Sequence, residues 1–416
     1  MGRWHRFGIE RYGRFGFFRN RRGNVATLFA LLAPVMIGGL GLGAETSYWY
    51  YTDLRLQAAA DAAAYAGAIE KRSGSDTATV DAAASSAAGQ NGFLSGGTIT
   101  VNSPPTSGAY QTSDAVEVVL RQNVARAFTA IFSSNPVAES ARAVARFQTA
   151  SNACILALDA SSSKSIDFSG NTGVTLSGCA VMSNSIANDA VNVQGSAMLS
   201  VDCLVSAGGV SLNSGVQMTQ CSSPETQAPP VADPFADVPA PTPSGNCIVS
   251  NTRSNGTATL SAGYYCHGLS LKGAVTLNSG VYYISGGDFQ INANASITGS
   301  GITIYLAAGA SVSINGNAYV NLSAPTSGTY SGILFFGDRS VTTYNTFNGT
   351  AGSKLTGAIY FSSGSVSYLG NFSGNSGCTQ VVADMIEWSG STSISQDCSS
   401  LGMRDIPASQ TVSLVE

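Results

Sequence analysis

From Asn24 to Ala44 the chain carries no charged side chain, and residues 25–44 read VATLFALLAPVMIGGLGLGA. As a helix this run spans about 31 Å, the thickness of one hydrocarbon layer. Pro34 and the glycines at 38, 39, 41 and 43 weaken a soluble helix but are tolerated in a bilayer. The run ends near Tyr48-Trp49-Tyr50-Tyr51, an aromatic belt suited to a membrane interface. Asp53-Leu54-Arg55-Leu56-Gln57 then leads into AAADAAAYAGA at 58–68. Alanine is the best helix former, so the helix is expected to continue outwards to about Arg72. Small side chains on every face admit a neighbouring helix at close range, although the same composition also suits a plain stalk. A cleaved secretory signal is the alternative for the apolar run. It calls for a shorter core and a clear small-x-small exit, for which Ala33 and Gly43-Ala44 are weak candidates.

The pattern then changes twice. Residues 73–150 read as a small α+β module. Ser75-Asp76 caps a helix to about Ala88, and Thr98–Val101 and Ala115–Leu120 alternate as strands. Val124–Phe132 is expected to be helical, and Val137–Phe147 to be a half-exposed strand. From Cys154 onward, short β segments alternate with Gly, Asn and Ser. Cys154-Ile155-Leu156, Cys179-Ala180-Val181, Cys203-Leu204-Val205 and Cys247-Ile248-Val249 open similar strands, and LNSGV occurs at Leu212–Val216 and again at Leu277–Val281. Gly173–Leu176, Ala274–Leu277, Gly301–Ile304 and Ser311–Ile314 are related strands. A period of about 20–25 residues with small polar turns predicts a parallel β-helix or related solenoid. A β-sandwich is the alternative. Residues 222–245 hold seven of the 13 prolines and cannot form a central strand; they read as an extended linker or a strap across the solenoid.

The expected organisation is therefore a mixed fold. It has an N-terminal segment (1–23), a transmembrane helix (24–44), its helical extension (45–72) and an α+β, broadly pilin-like module (73–150). A first solenoid part (151–221), the Pro-rich segment (222–245) and a second solenoid part (246–416) follow.

Charge sets the orientation. Residues 1–22 hold seven arginines against Glu10, a net +6, whereas the whole chain is −4 and the remainder therefore −10. The positive-inside rule places the N-terminus in the cytoplasm and the bulk outside. An acidic body excludes nucleic-acid binding, which needs a basic patch on the folded part. Eight cysteines, at 154, 179, 203, 221, 247, 266, 378 and 398, fit a disulfide framework in an oxidising compartment. A metal site would want CxxC spacing and histidines, but the chain has no CxxC and only His5 and His267. Eight cysteines allow 105 connectivities. Local pairs Cys203–Cys221, Cys247–Cys266 and Cys378–Cys398 are plausible, and stacked coils bring Cys154 near Cys179.

One segment resembles a known family. Arg22-Gly23-Asn24-Val25-Ala26, the apolar run with Pro34, acidic Glu45, the aromatic patch and Leu56-Gln57-Ala58-Ala59-Ala60-Asp61-Ala62-Ala63 follow one another as in Tad-type (Flp, tight adherence) pilus-assembly proteins, specifically the TadG-like group. The resemblance covers about 50 residues. The family more often has Asp where this chain has Glu45. The position five residues after Gly23, where prepilins carry Glu, holds Leu28. The resemblance thus implies an uncleaved anchor in the bacterial inner membrane, with pilins or assembly subunits as partners and an outer domain in the periplasm or on the pilus or cell surface. Residues expected to anchor or to pack against partner helices are Leu28, Pro34, Gly38, Glu45, Leu56, Gln57, Ala60, Asp61 and Ala64.

Catalytic signals are sparse. Asp159-Ala160-Ser161-Ser162-Ser163 matches the DxSxS pattern of von Willebrand A-type metal sites (Asp159, Ser161, Ser163). The sequence after it lacks the alternating strands and helices that such a domain requires. A polysaccharide-acting β-helix enzyme would need paired carboxylates; Asp288, Asp338, Arg339, Asp384 and Glu387 are candidates without catalytic spacing. His267, beside Cys266, reads as structural or surface. Tyr264-Tyr265, Tyr282-Tyr283 and Phe335-Phe336 could stack on sugars, although strand alternation turns one of each pair inward. No phosphate-cradling loop and no cofactor site stands out. The expectation is a structural, non-enzymatic pilus component. A surface adhesin that binds glycan, cell surface or metal is the first alternative, and an enzyme the second.

Overall fold

Pro34 and the glycines at 38, 39, 41 and 43 do not interrupt the first helix. In a computed structural model that describes residues 24–249, 257–350, 352–370, 378–389, 392–395 and 401–416, helix α1 runs unbroken over Asn24–Arg72, with Pro34 inside it. Lys71 and Arg72 in its last turn suit the negative end of the dipole, and Gly74, at φ +80°, lets the chain turn back. Asp76 then caps helix α2 (Thr77–Gln90), its Oδ1 accepting from the Thr79 amide at 2.8 Å. The arginine cluster at 3–22 lies outside the described residues.

The second half of α1 is the spine of a helix-on-sheet module. Strands β1 (Thr98–Asn102), β2 (Ala115–Val124) and β3 (Val137–Ala157) pair antiparallel, and the C-terminal strand Pro407–Leu414 completes the sheet on the far side of β3. Leu56, Ala59, Ala60, Ala63, Ala64 and Ala68 recur every three or four residues and bury against Val116, Val118, Leu120, Ala141 and Ala143 and against α2. Alanine on this stripe brings the helix axis close to the sheet. At Gly67 a Cβ would lie only 3.1 Å from Val116. Polar pins fix the register: Thr52 donates to Glu139 at 2.7 Å, Gln57 to the Arg142 carbonyl at 3.1 Å, and Arg72 to the Gln410 carbonyl at 2.9 Å.

The segment Val124–Phe132 departs from expectation. It is not a helix: β2 extends to Val124, paired with Val137, and only Thr129–Ile131 forms a 3₁₀ turn. Pairing with β3 claims Val124, and the amides of Ala127 and Thr129 are taken by a side chain distant in sequence rather than by helical carbonyls.

β3 also belongs to a second sheet. Its last residues leave the antiparallel ladder and pair in parallel, Ile155 with Val181 on one side and with Val381 on the other. From here the fold is a β-solenoid whose ladders are parallel, which excludes the sandwich. In the second part, Val275 lies beside Ile297 and Ile297 beside Val320, steps of 22 and 23 residues. In the first part Val174 lies beside Leu199, a step of 25. Like residues stack over like, and an aromatic ladder runs through the core: Tyr265 on Tyr282, Phe289 near Phe335, Phe347 near Tyr368, Tyr368 on Trp388, and Trp388 on Phe168.

The two solenoid parts form one stack in permuted order. The last coil of the second part (Thr379–Ser395) lies against the first coil of the first part: Val381 beside Ile155, Ile386 beside Ile166, Thr392 beside Val174. The first part then grows away from this seam to Val216–Met218, while the second part begins at the opposite end with Thr257–Leu260. The Pro-rich segment carries the chain back between those ends along the outside of the stack. Ala228, Val231, Phe235 and Val238 are buried there. Asn184 clasps the Val231 backbone with two bonds of 2.9 Å, Tyr360 donates to Asp233 at 2.6 Å, and Arg339 donates to the carbonyls of Phe235 and Val238.

Disulfides brace the coils. Cys154–Cys179 joins successive coils, and Cys203–Cys221 and Cys247–Cys266 close local loops. Cys378 is disulfide-bonded as well; the expected partner Cys398 lies outside the described residues.

Candidate functional site

The residues expected to carry function fall into three places. On α1, Leu28 and Pro34 project from the bare first half of the helix, and Gly38 is half-buried. An eighteen-residue stretch of this helix has a mean hydropathy of 2.1 with none of it buried by the rest of the protein, long and apolar enough to cross a membrane. Leu56, Ala60 and Ala64, expected to meet partner helices, instead form the core beneath the module's own sheet. Gln57 donates to Asp61 at 2.8 Å on the same helix. The helix faces left open beyond the belt carry Asp53, Leu54, Arg55, Ala58 and Tyr65.

Glu45 is the junction between the bare and the packed halves. It is 5% exposed, and its carboxylate reaches across to the loop between β2 and β3. Oε1 accepts from the Ala127 amide at 2.6 Å and Oε2 from the Thr129 amide at 2.7 Å. A glutamate thereby supplies the acceptors that the start of the 3₁₀ turn lacks. One helical turn below, the Phe128 ring fills the space over Gly41, where any Cβ would overlap it. One turn above, the Arg126 guanidinium lies 5.3 Å from the centroid of Trp49. Sequence reading found Glu45 but not this loop, because its apolar residues mimic a helical period.

A second buried carboxylate holds the module's far edge. Glu117 on β2 accepts from Asn102, from the amide and hydroxyl of Thr106, from Ser107 and, at 2.6 Å, from Arg142 Nε. Arg142 also binds Glu416 at 2.5 Å. Burial alone would raise the Glu117 pKa, but the Thr106 and Arg142 bonds outweigh it and hold the group down to about 2 from an ordinary 4.5. A lowered folded-state pKa gives stability that is complete above the unfolded value and is lost as pH falls through the folded one. Glu117→Gln is therefore expected to cost about 3 kcal/mol at pH 7, a deficit that shrinks as pH drops towards 2. Urea unfolding in detergent at pH 7 and pH 3 measures it; a deficit independent of pH would show that the charge is not what matters.

On the solenoid, the DxSxS residues do not converge. Asp159 Oδ1 accepts from the Ser161 and Ser162 amides and Oδ2 from the Ser162 hydroxyl, while Ser163 turns away to Asp189 at 2.7 Å. The carboxylate is absorbed by its own turn. Asp384 lies close to it, and burial together with the Asp159 charge pushes the Asp384 carboxyl up. The other acidic candidates also hold turns: Asp288 accepts from Ser311, and Asp338 from Ser340 and Ala308. Arg339 is part of the strap's attachment, stacked on Phe336 and Tyr360. Cys247, Cys266 and His267 lie within metal-binding reach of one another, but both sulfurs are consumed in the disulfide. Of the tyrosine pairs, Tyr265 and Tyr282 are core, and Tyr264 meets Tyr283 edge-on outside it. Phe335 and Phe336 are both buried. A groove of about 300 Å³ crosses the seam, lined by Lys164, Asp167, Tyr344, Ser365, Ser367 and Glu387. Asp167 and Glu387 are neighbours in register, with Asn192 and Ser367 donating to them.

An apolar helix that continues without a break into the core of a small helix-on-sheet module, joined to a disulfide-braced solenoid, defines the architecture. Residues 23–70 match the Tad family model, TadE/G-like Flp pilus assembly, and so the segment that resembled the TadG-like group is the one the family covers. No curated protein and no solved structure matches the chain.

Proposed function

We propose that this protein is a structural component of a Tad/Flp-type pilus-assembly system, held in the inner membrane by residues 24–44 with its N-terminus in the cytoplasm. The module and solenoid lie on the periplasmic side or on the pilus or cell surface. The observation that carries this reading is the unbroken α1: the family match falls on one helix whose first half is bare and whose second half is the module's spine. A membrane helix ending in a flexible linker would merely tether its cargo, whereas here the load passes through packed alanines into the sheet and along β3 into the solenoid. Disulfide-bonded cysteines and the arginine-rich N-terminal side both favour an extracytoplasmic body. Pilins or assembly subunits meet the protein at the exposed helix surface near the belt, around Leu54, Arg55, Ala58 and Tyr65.

Deleting the gene is expected to abolish surface fibres. Restoration should require residues 24–72 in the same chain as the outer body, not supplied separately. Fibres that persist at normal number after deletion would refute an assembly role. A tag after Glu416 should be cut by external protease in spheroplasts; protection of that tag would reverse the orientation.

A further inference from the structure

The loop that Glu45 holds carries the largest apolar side chains that the module leaves bare. In Ala125–Pro136, Ile131 and Phe132 are 76% and 77% exposed, although the sequence offers them a ready core a few residues away in β2 and β3. The loop contains no acidic residue, and its single charge, Arg126, is turned back: Nε donates to the Asn135 carbonyl at 2.7 Å, Nη1 to the Thr129 hydroxyl at 3.2 Å, and the guanidinium covers Trp49. Its height is fixed by two contacts. Glu45 binds the amides of Ala127 and Thr129, and Phe128 sits on Gly41, about 6 Å further towards the N-terminus and inside the uncharged run. Phe128 thus adjoins the bare apolar half of α1, Ile131 and Phe132 follow it three and four residues on in the same loop, and Arg126 stands at the level of Trp49. Apolar tip below, cation and tryptophan above, is the arrangement of a segment lying in a membrane interface.

We propose that this loop is a second membrane contact, with Phe128, Ile131 and Phe132 entering the outer leaflet beside α1 and Glu45 acting as the latch that keeps them there. The occupant is lipid: the patch adjoins the apolar helix, and the phosphate layer supplies the anionic partner for Arg126. The inference rests on the anchoring reading above. Its consequence is mechanical. One helix lets the outer body tilt and roll, and a second contact beside it fixes both, so that the face of the module offered to an assembly partner is constant.

The test uses the full chain in vesicles of phosphatidylcholine and phosphatidylglycerol with brominated acyl chains. Phe132→Trp and, as a helix control, Val35→Trp are each compared with the unsubstituted chain. Emission from the new Trp at 132 should be quenched by the brominated lipid and should lose most of its quenching by aqueous iodide. Adding Glu45→Ala to Phe132→Trp should reverse this, whereas the Trp introduced at 35 stays lipid-quenched. Iodide quenching at 132 with lipid quenching at 35 overturns the second contact and leaves the anchor intact. Shielding of 132 from both quenchers assigns the patch to a second copy of the protein and overturns the lipid contact. Lipid quenching at neither site overturns the anchoring reading itself. Unchanged lipid quenching at 132 after Glu45→Ala removes the latch from the proposal.

Discussion

Replacing Trp388 with alanine is expected to open the solenoid at its seam. Trp388 is fully buried and ends the strand Thr379–Trp388. Its ring stacks at 4.3 Å on Tyr368 in the coil before it and lies 6.1 Å from Phe168 in the coil after it. Those neighbours are not equivalent. Tyr368 belongs to the same solenoid part, while Phe168 belongs to the part made more than 200 residues earlier in the chain, and its register partner across the junction is Trp388. A Phe or Trp to Ala change in a core costs about 3–5 kcal/mol through lost burial and the cavity left behind. In a stack where each coil touches only its neighbours, that loss is local to one interface. Phe289, buried against Phe335 within the second part, is the control. Phe289→Ala should lower the denaturation midpoint by a similar amount but raise amide exchange within its own coils. Trp388→Ala should raise exchange at Ile166–Phe168 and Ile386–Trp388. If the latter segments keep their protection while the midpoint falls, the seam is held by something other than this ring.

The seam also shows where sequence reading stops. The coil repeat was legible, because a strand such as Ala274–Leu277 must present Val275 and Leu277 to the core whichever coil lies next to it. The order of the coils was not, for the same reason: both faces of a coil offer the same kind of ladder, so local sequence cannot say that Thr379–Trp388 adjoins Ile155 rather than a later segment. α1 and α2 were legible through propensity and an aspartate cap. The misread helix at Val124–Phe132 failed because the decisive partner, Glu45, is 82 residues from Ala127 and 84 from Thr129. Of the candidate site residues, Glu45 was visible as a lone acid beside an apolar run, but its role was not. Asp159 looked like a ligand because the Ser-rich turn that satisfies it is also what a metal motif looks like.

Removing Ile406–Glu416 is expected to unfold the helix-on-sheet module even though the helix, β1, β2 and β3 remain. The last strand pairs with β3 from Asn152 to Ala145, and the Ile406 carbonyl accepts from the Ala153 amide at 2.7 Å where β3 passes into the solenoid. Ile406 and Ala408 are fully buried, and Val412 packs under α1. Its loss would strip the acceptor from Arg72, whose side chain is largely buried and bonded to the Gln410 carbonyl, and would bare the long edge of β3. The lost hydrogen bond and the lost packing of Ile406, Ala408 and the α1 face destabilise the sheet, and an open β edge invites aggregation. With a total margin of about 5–15 kcal/mol, the truncated protein should fail to accumulate and should be cut by protease between α2 and β3. Removing only Leu414–Glu416 takes away the Glu416 clasp on Arg142 and the Ala109 amide but leaves Gln410 in place. That variant should fold with a denaturation midpoint only slightly lowered, as for screened bonds to an exposed charged group. A longer truncation that accumulates with an unchanged midpoint would show the strand to be ornamental. The sheet against α1 thus depends on a strand that follows the solenoid in sequence, so the module and the solenoid are not independent folding units.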